Sequence, residues 1–178
     1  PDATYTAWFD NLRRAHIPLA HVSQGAVISL GDGATFTVLA PQLPLRDQSP
    51  FQDQNALVGV LAAPGVRVLF AGDAGDLDMA RALNAGPAGL RADITQICQT
   101  TNEGIISGTA TANLLALAGP RLVVDMLSAR PAPHAGTLDA APTPDDLAAL
   151  AGGMTVDRTW QSGDLTIAAD ASGWWLTG

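Results

Sequence analysis

Lysine is absent from the 178 residues, and glutamate occurs once, at Glu103. All nine basic residues are arginine; they stand against 17 acids, which leaves a net charge of −8 at neutral pH. Without a basic run, the chain lacks the clustered cations that neutralise phosphates, which excludes a general nucleic-acid-binding surface. Cys98 is the single cysteine, so no internal disulfide can form. With no lysine there is no phosphate loop: neither Gly31-Asp32-Gly33 nor the glycine-rich stretch 72–75 ends in Lys-Ser/Thr. Ser107 and Ser128 lie outside any Gly-x-Ser-x-Gly elbow. No apolar run approaches the roughly 20 residues needed to cross a bilayer. Imidazoles are scarce, being limited to His16, His21 and His134, with no His-x-His pair. The chain opens Pro1-Asp2, without Met, a basic n-region or an apolar h-region. This is the opening expected of a piece processed or excised from a longer chain, whose parent could hold membrane spans.

The composition is that of a folded domain: 47% of the residues are hydrophobic, and the length suits one domain spanning 1–178. Tyr5, Trp8, Phe9 and Leu12 fall at i, i+3, i+4, i+7 and predict a helix over 4–15, ended by Ile17-Pro18. Val27, Ser29 and Leu30, the Gly31-Asp32-Gly33 turn and the β-prone stretch 35–39 predict a hairpin. A polar loop over 41–54 follows. Two apolar strands, 56–61 and 66–70, flank Ala62-Ala63-Pro64-Gly65 and read as buried on both faces. The remaining prediction alternates helix 77–83, strand 94–98, helix 109–117 and strand 122–127. A long loop over 128–142 leads to a helix start at Thr143-Pro144-Asp145-Asp146, with a capping hydroxyl, a first-turn proline and two acids. Strands 154–160, 165–168 and 174–176 are expected to close the fold as a meander. Together these elements predict a mixed α/β layer architecture.

Seven fragments in this order resemble the metallo-β-lactamase-like domain of ComEC-type competence proteins, the membrane proteins of DNA internalisation. Leu12 to Pro18 followed by the stretch 27–38 resembles the family's helix, Leu-Gly-Asp-Gly and strand. Gln54-Asn55-Ala56-Leu57-Val58 resembles its Asn-Asn-Ser-Leu-Val strand. Val68-Leu69-Phe70-Ala71-Gly72-Asp73-Ala74 is similar to its Leu-Leu-Thr-Gly-Asp-Ala turn. Ala92-Asp93-Ile94 and Pro120-Arg121-Leu122-Val123-Val124 resemble its Ala-Asp-Val and Pro-Arg-Val-Ala-Val strand starts. Pro142-Thr143-Pro144-Asp145-Asp146-Leu147 resembles its Pro-Ser-Pro helix start, and Gly163-Asp164-Leu165-Thr166-Ile167 its terminal hairpin.

The resemblance implies an αββα sandwich, of which this chain supplies mainly the second half as a mixed sheet with helices. In active relatives it also implies a two-metal hydrolytic site at one sheet edge. There the ions, a zinc or manganese pair, supply a hydroxide and a Lewis acid. Asp73 stands where the family has a bridging carboxylate. The family's Gly-His-His-Gly-Ser is replaced by Cys98-Gln99-Thr100-Thr101-Asn102, and its last histidine by Ala141. His134 lies seven residues before Ala141 and could substitute only if its loop folded back. Hydroxyls and an amide are poor zinc ligands, so the resemblance with these departures implies a degenerate domain for which no cofactor is expected.

Asp73 has a second reading as a cap on the following helix. Cys98 reads as a small packing residue, and His16 and His21 as surface or packing residues. Trp174 and Trp175 point to opposite faces of a strand, which puts one in the core and the other outside. Three functions follow. The first is a non-catalytic extramembrane domain that packs on the remainder of a longer membrane protein and meets DNA only indirectly. The second is a fragment of a metal-dependent nuclease or phosphodiesterase acting on DNA during uptake. The third is an acidic α/β interaction domain, which a pocket lined by Trp and Arg far from Asp73 would favour. An uncovered sheet face further predicts a homodimer, or a strand rearrangement that covers it.

Overall fold

The computed structural model describes residues 3–43, 56–72, 74, 76–97, 108–126 and 152–177. Helix α1 (Ala3–Arg14) forms where the aromatic spacing predicts it, and Arg13 and Arg14 in its last turn suit the negative helix end. None of its residues is buried. Its rings pack on one another instead: Tyr5 stacks on Phe9 at 6.0 Å between centroids, and the Arg13 guanidinium lies 4.7 Å from the centre of that ring.

Strands β1 (Val27–Gly31) and β2 (Ala34–Ala40) form the predicted hairpin. Asp32 and Gly33 close it with φ of 49° and 79°, the positive values that a two-residue hairpin turn of matching twist requires. Strands β3 (Val58–Ala63) and β4 (Val66–Phe70) follow, joined through Pro64 and Gly65 alone. Ala62 and Ala63, read from sequence as turn, extend β3. Helices α2 (Asp76–Leu83) and α3 (Gly86–Leu90) lead to β5 (Ile94–Ile97), then α4 (Gly108–Ala118) and β6 (Leu122–Asp125). Strand β7 (Thr155–Arg158), one-turn helix α5 (Thr159–Ser162), β8 (Thr166–Asp170) and β9 (Gly173–Thr177) complete the chain.

Strands β1 to β7 form one seven-stranded sheet in sequence order. Pairing is antiparallel from β1 to β4 and parallel from β4 to β7. One face packs on α2, α3 and α4, which pack on one another. Leu69, Met79, Leu90, Ile97, Leu114, Leu115 and Val123 are sealed in that layer. The opposite face carries Val66, Val68, Ile94, Leu122 and Val124, against which Leu165, Ile167 and Trp174 of the β8–β9 region pack. The alternation of side chains along each strand produces this division.

Three expectations require correction. The closing strands do not form a meander: β7 joins the main sheet in parallel, while β8 and β9 form a separate two-stranded sheet. The strand expected over 154–160 stops at Arg158, and residues 159–162 turn into α5, which Gly163 terminates with φ of 78°. Strands β3 and β4 are not buried throughout: Leu61 to Ala63 are half-buried and Phe70 is 36% exposed. Helix α3, with Pro87 in its first turn, was not anticipated, because its two glycines disguise it. Trp174 packs inward and Trp175 is exposed, as strand alternation requires. The loop over 128–142 and the helix start at Thr143 lie outside the described residues.

Candidate functional site

In a sheet with parallel strands, ligands bind beyond the carboxyl ends of those strands. Here β4, β5 and β6 are adjacent and parallel, with Phe70 beside Gln96 and Ile97 beside Asp125. Their ends are knitted into one edge by the backbone. Ala71 N–H donates to the Gln96 carbonyl at 3.0 Å, and Met126 N–H to the Ile97 carbonyl at 3.0 Å. The Gln96 side chain adds a third tie, its Oε1 accepting the Gly72 N–H at 3.2 Å. Gly72 turns the chain away with φ of 56°. Ala74 N–H donates back to the Ala71 carbonyl at 3.1 Å, and Ala74 is fully buried.

This edge is where the family resemblance puts its metal motifs. Asp73 follows Gly72 in sequence, Cys98 follows the end of β5, and Ala141 belongs to the stretch after β6. Asp73, Cys98, Thr100, Thr101, Asn102, His134 and Ala141 themselves lie outside the described residues. His16 and His21 are exposed in the segment between α1 and β1 and take no part in this edge. His16 has φ of 55° and ends α1, its N–H donating to the Arg13 carbonyl at 3.0 Å.

Two polar residues at the edge escaped the sequence reading. Gln96 is 9% exposed, and Asp125 is fully buried at the last position of β6. In the sequence both are simply positions within predicted strands. Asp125 stands in register with Arg158 of β7, and its carbonyl accepts a long bond from the Thr159 hydroxyl at 3.5 Å. A carboxylate or amide in a four-residue apolar strand is the signal that marks such positions, because burying either requires compensation. Among the described residues, this edge offers an amide whose oxygen is already engaged and a buried carboxylate, and no three His, Cys, Asp or Glu side chains gather.

Next to this edge, a cleft of about 650 Å³ opens between the sheet and the β8–β9 side. Its wall includes Leu61, Val68, Phe70, Met126 and Leu165, with Gln96 the polar exception among the sheet strands and Thr159 and Asp164 also in the lining. Among the described residues, neither Trp nor Arg lines it. Arg121 instead lies over Trp174, 5.4 Å from its ring centre. The other shaped polar group is Asp170, whose carboxylate accepts from both the backbone and the hydroxyl of Ser172. These hydrogen bonds hold its pKa below the ordinary carboxylate value.

The architecture is mixed α/β: a seven-stranded mixed sheet with helices packed on one face. No family model matches the chain, and no curated protein matches its sequence. Solved structures do match. A protein described as a metal-dependent hydrolase from Parabacteroides distasonis aligns at 14% identity over 84% of this chain and 61% of its own, with a TM-score of 0.50. The E377D mutant of the β-hydroxylase CmlA aligns at 14% identity over 83% of this chain and 34% of its own, with a TM-score of 0.56. The metallo-β-lactamase fold protein YhfI of Bacillus subtilis aligns at 13% identity over 93% of this chain and 61% of its own, with a TM-score of 0.46. The chain thus spans less than two thirds of each. At such identities the likeness is one of fold.

Proposed function

We propose that this chain is a degenerate, non-catalytic hydrolase-like domain belonging to a ComEC-like DNA-uptake protein. In this reading it lies outside the bilayer at the cell membrane and packs on the remainder of the longer protein. The observation that carries the reading is a mismatch between scaffold and sequence. Three parallel strand ends are held in one edge by backbone bonds and by Gln96. The sequence that follows β5 is Cys98-Gln99-Thr100-Thr101-Asn102, with no imidazole to hold a metal. The apolar face not covered by the β8–β9 side, with Ile28 and Phe70 exposed, is the surface offered to the rest of the protein. The net charge of −8 makes direct, tight contact with DNA unfavourable. Among the described residues, no helix is long and apolar enough to cross a membrane.

The test is metal analysis together with hydrolysis of single- and double-stranded DNA by the longer parent domain, with zinc or manganese added. Substoichiometric metal and no cleavage are expected. A stoichiometric metal with cleavage that Asp73→Ala abolishes would instead establish the alternative, a metal-dependent nuclease or phosphodiesterase. One feature favours that alternative: the turn at Gly72, with Asp73 next in sequence, comes just after a parallel strand. The third possibility is an interaction domain reading its ligand through Trp and Arg; the described residues that line the cleft include neither.

A further inference from the structure

The amino ends of β4, β5 and β6 form the edge opposite the candidate site, and its charge runs against that of the chain. Arg67 is the second residue of β4, Arg91 lies between α3 and β5, and Arg121 directly precedes β6. They are three of the nine basic residues in a chain of net charge −8. Asp93 ties two of them together. Its Oδ2 accepts the Arg67 N–H at 2.8 Å, its N–H donates to the Arg67 carbonyl at 2.8 Å, and its carbonyl accepts the Arg121 N–H at 2.8 Å. The Arg67 side chain reaches the third, its Nε donating to the Arg91 carbonyl at 2.8 Å. None of the three guanidinium groups forms an ion pair with a described residue. The carboxylates described nearby are engaged otherwise: Asp93 by the Arg67 backbone, and Asp170, whose carbonyl adjoins Gly65, by Ser172.

We propose that this edge is an oxyanion site that takes a phosphate group, with Arg67 as its principal ligand and Arg91 beside it. Spending Nε on a carbonyl leaves Arg67 its two Nη groups, and a guanidinium presents these as planar donors that match two oxygens of one oxyanion. The tether already restricts the side chain, so binding costs less ordering than it would with a free arginine. Arg91 is exposed, and its own carbonyl holds that tether. Arg121, two strands from Arg67 and laid on Trp174, adds charge to the edge. Charge and shape select the occupant. A phosphate group at neutral pH carries close to two negative charges and three strong acceptor oxygens, which answer guanidinium groups on separate elements. A carboxylate brings one charge and two oxygens. A single cluster with no basic track beyond it holds one phosphate, not the backbone of a nucleic-acid strand. These arginines stand at the other ends of the strands from the candidate metal edge and outside the apolar face offered to the remainder of the longer protein. The inference is therefore independent of both.

Calorimetric titration of the 178-residue chain with inorganic phosphate tests it, at an ionic strength held constant with sodium chloride. One saturable site is expected, with acetate binding more weakly. Glycerol 3-phosphate and a nucleoside monophosphate should compete for the same site, and the tighter of the two identifies a headgroup or a nucleotide as the source of the phosphate. Arg67→Gln should weaken binding about tenfold or more, and Arg67→Lys, which keeps the charge and loses the fork, nearly as far. Arg91→Gln should weaken it by a smaller factor, while Arg14→Gln on α1 should leave it unchanged. Far-ultraviolet circular dichroism verifies that the variants fold. Absence of saturation at millimolar phosphate overturns the proposal. So does binding that acetate matches, or that survives both Arg67→Gln and Arg91→Gln. Full affinity in Arg67→Lys overturns it too, since charge alone would then account for the binding.

Discussion

Gly59 shows how one absent methyl group organises a neighbourhood. It sits in β3 between Val38 and Phe70 of the adjoining strands, and the Phe36 and Phe70 rings meet beside it at 6.3 Å. A Cβ at this position would collide with the Phe36 ring and stand 2.8 Å from the Thr37 carbonyl oxygen. Replacing a strand glycine by alanine ordinarily gains about 0.4–1 kcal/mol through the unfolded state. Here overpacking, at about 1–3 kcal/mol, outweighs that gain. Gly59→Ala should therefore lower the urea midpoint with an unchanged slope. Adding Phe36→Ala should restore only part of the loss, because the Thr37 carbonyl belongs to the backbone and stays in place. Full restoration would mean that the ring alone sets the constraint. Asp170 gives a second test. Its pKa is lowered by Ser172 in the folded chain, so its contribution to stability is present above the unfolded pKa and disappears as pH falls through the folded value. Asp170→Asn should lower stability slightly at neutral pH, leave it unchanged below the folded pKa, and so flatten the acid limb by the same small amount, since the group is fully exposed.

At the scale of elements, the β8–β9 hairpin is a two-stranded sheet of its own, packed on one face of the main sheet. Gly65, with φ of 78°, lets the β3–β4 turn lie directly against the Asp170 carbonyl, where a Cβ would clash with backbone. Gly65→Ala should displace the hairpin. The expected signature is faster amide exchange in residues 166–177 and altered Trp174 fluorescence as the ring leaves Arg121, with the β4–β6 amides still protected. Uniform loss of protection would show that hairpin and sheet unfold as one. Helix α1 is the counter-case: Trp8 is 52% exposed and no α1 residue is buried. Trp8→Ala should change global stability by less than about 0.5 kcal/mol in denaturant melts. Such elements differ in how far sequence reveals them. α1 and the β1–β2 hairpin were legible because a 3.6-residue period and a Gly-Asp-Gly turn are local signals. The parallel seat of β7 beside β6 was not, because that partner is more than thirty residues away, and nothing in Thr155-Val156-Asp157-Arg158 distinguishes a parallel from an antiparallel neighbour.

For the whole molecule, the proposed parting of scaffold and chemistry falls at the carboxyl edge of β4, β5 and β6. The order of the strands leading to that edge could be read from sequence motifs. The inward side chains could not: Gln96 and Asp125 acquire meaning only when the parallel ladder brings them to the strand ends. Linkage turns the proposed loss of the metal site into a measurement. A ligand that binds the folded state alone stabilises it by RT ln(1 + [L]/Kd), or about 2.7 kcal/mol at one hundred times Kd. For a domain of this size, that would raise the melting temperature by roughly 5–10 °C, at about 2–4 °C per kcal/mol. Zinc or manganese titrated to millimolar levels should produce no such rise in the 178-residue chain, and Asp73→Ala should melt as the parent does in both the presence and absence of metal. A saturable rise lost in Asp73→Ala would show that the carboxylate still holds an ion. A rise retained by Asp73→Ala but lost in His134→Ala would assign the ion to the loop histidine instead. Only a chain indifferent to metal at both positions agrees with a framework that has outlived its hydrolytic site.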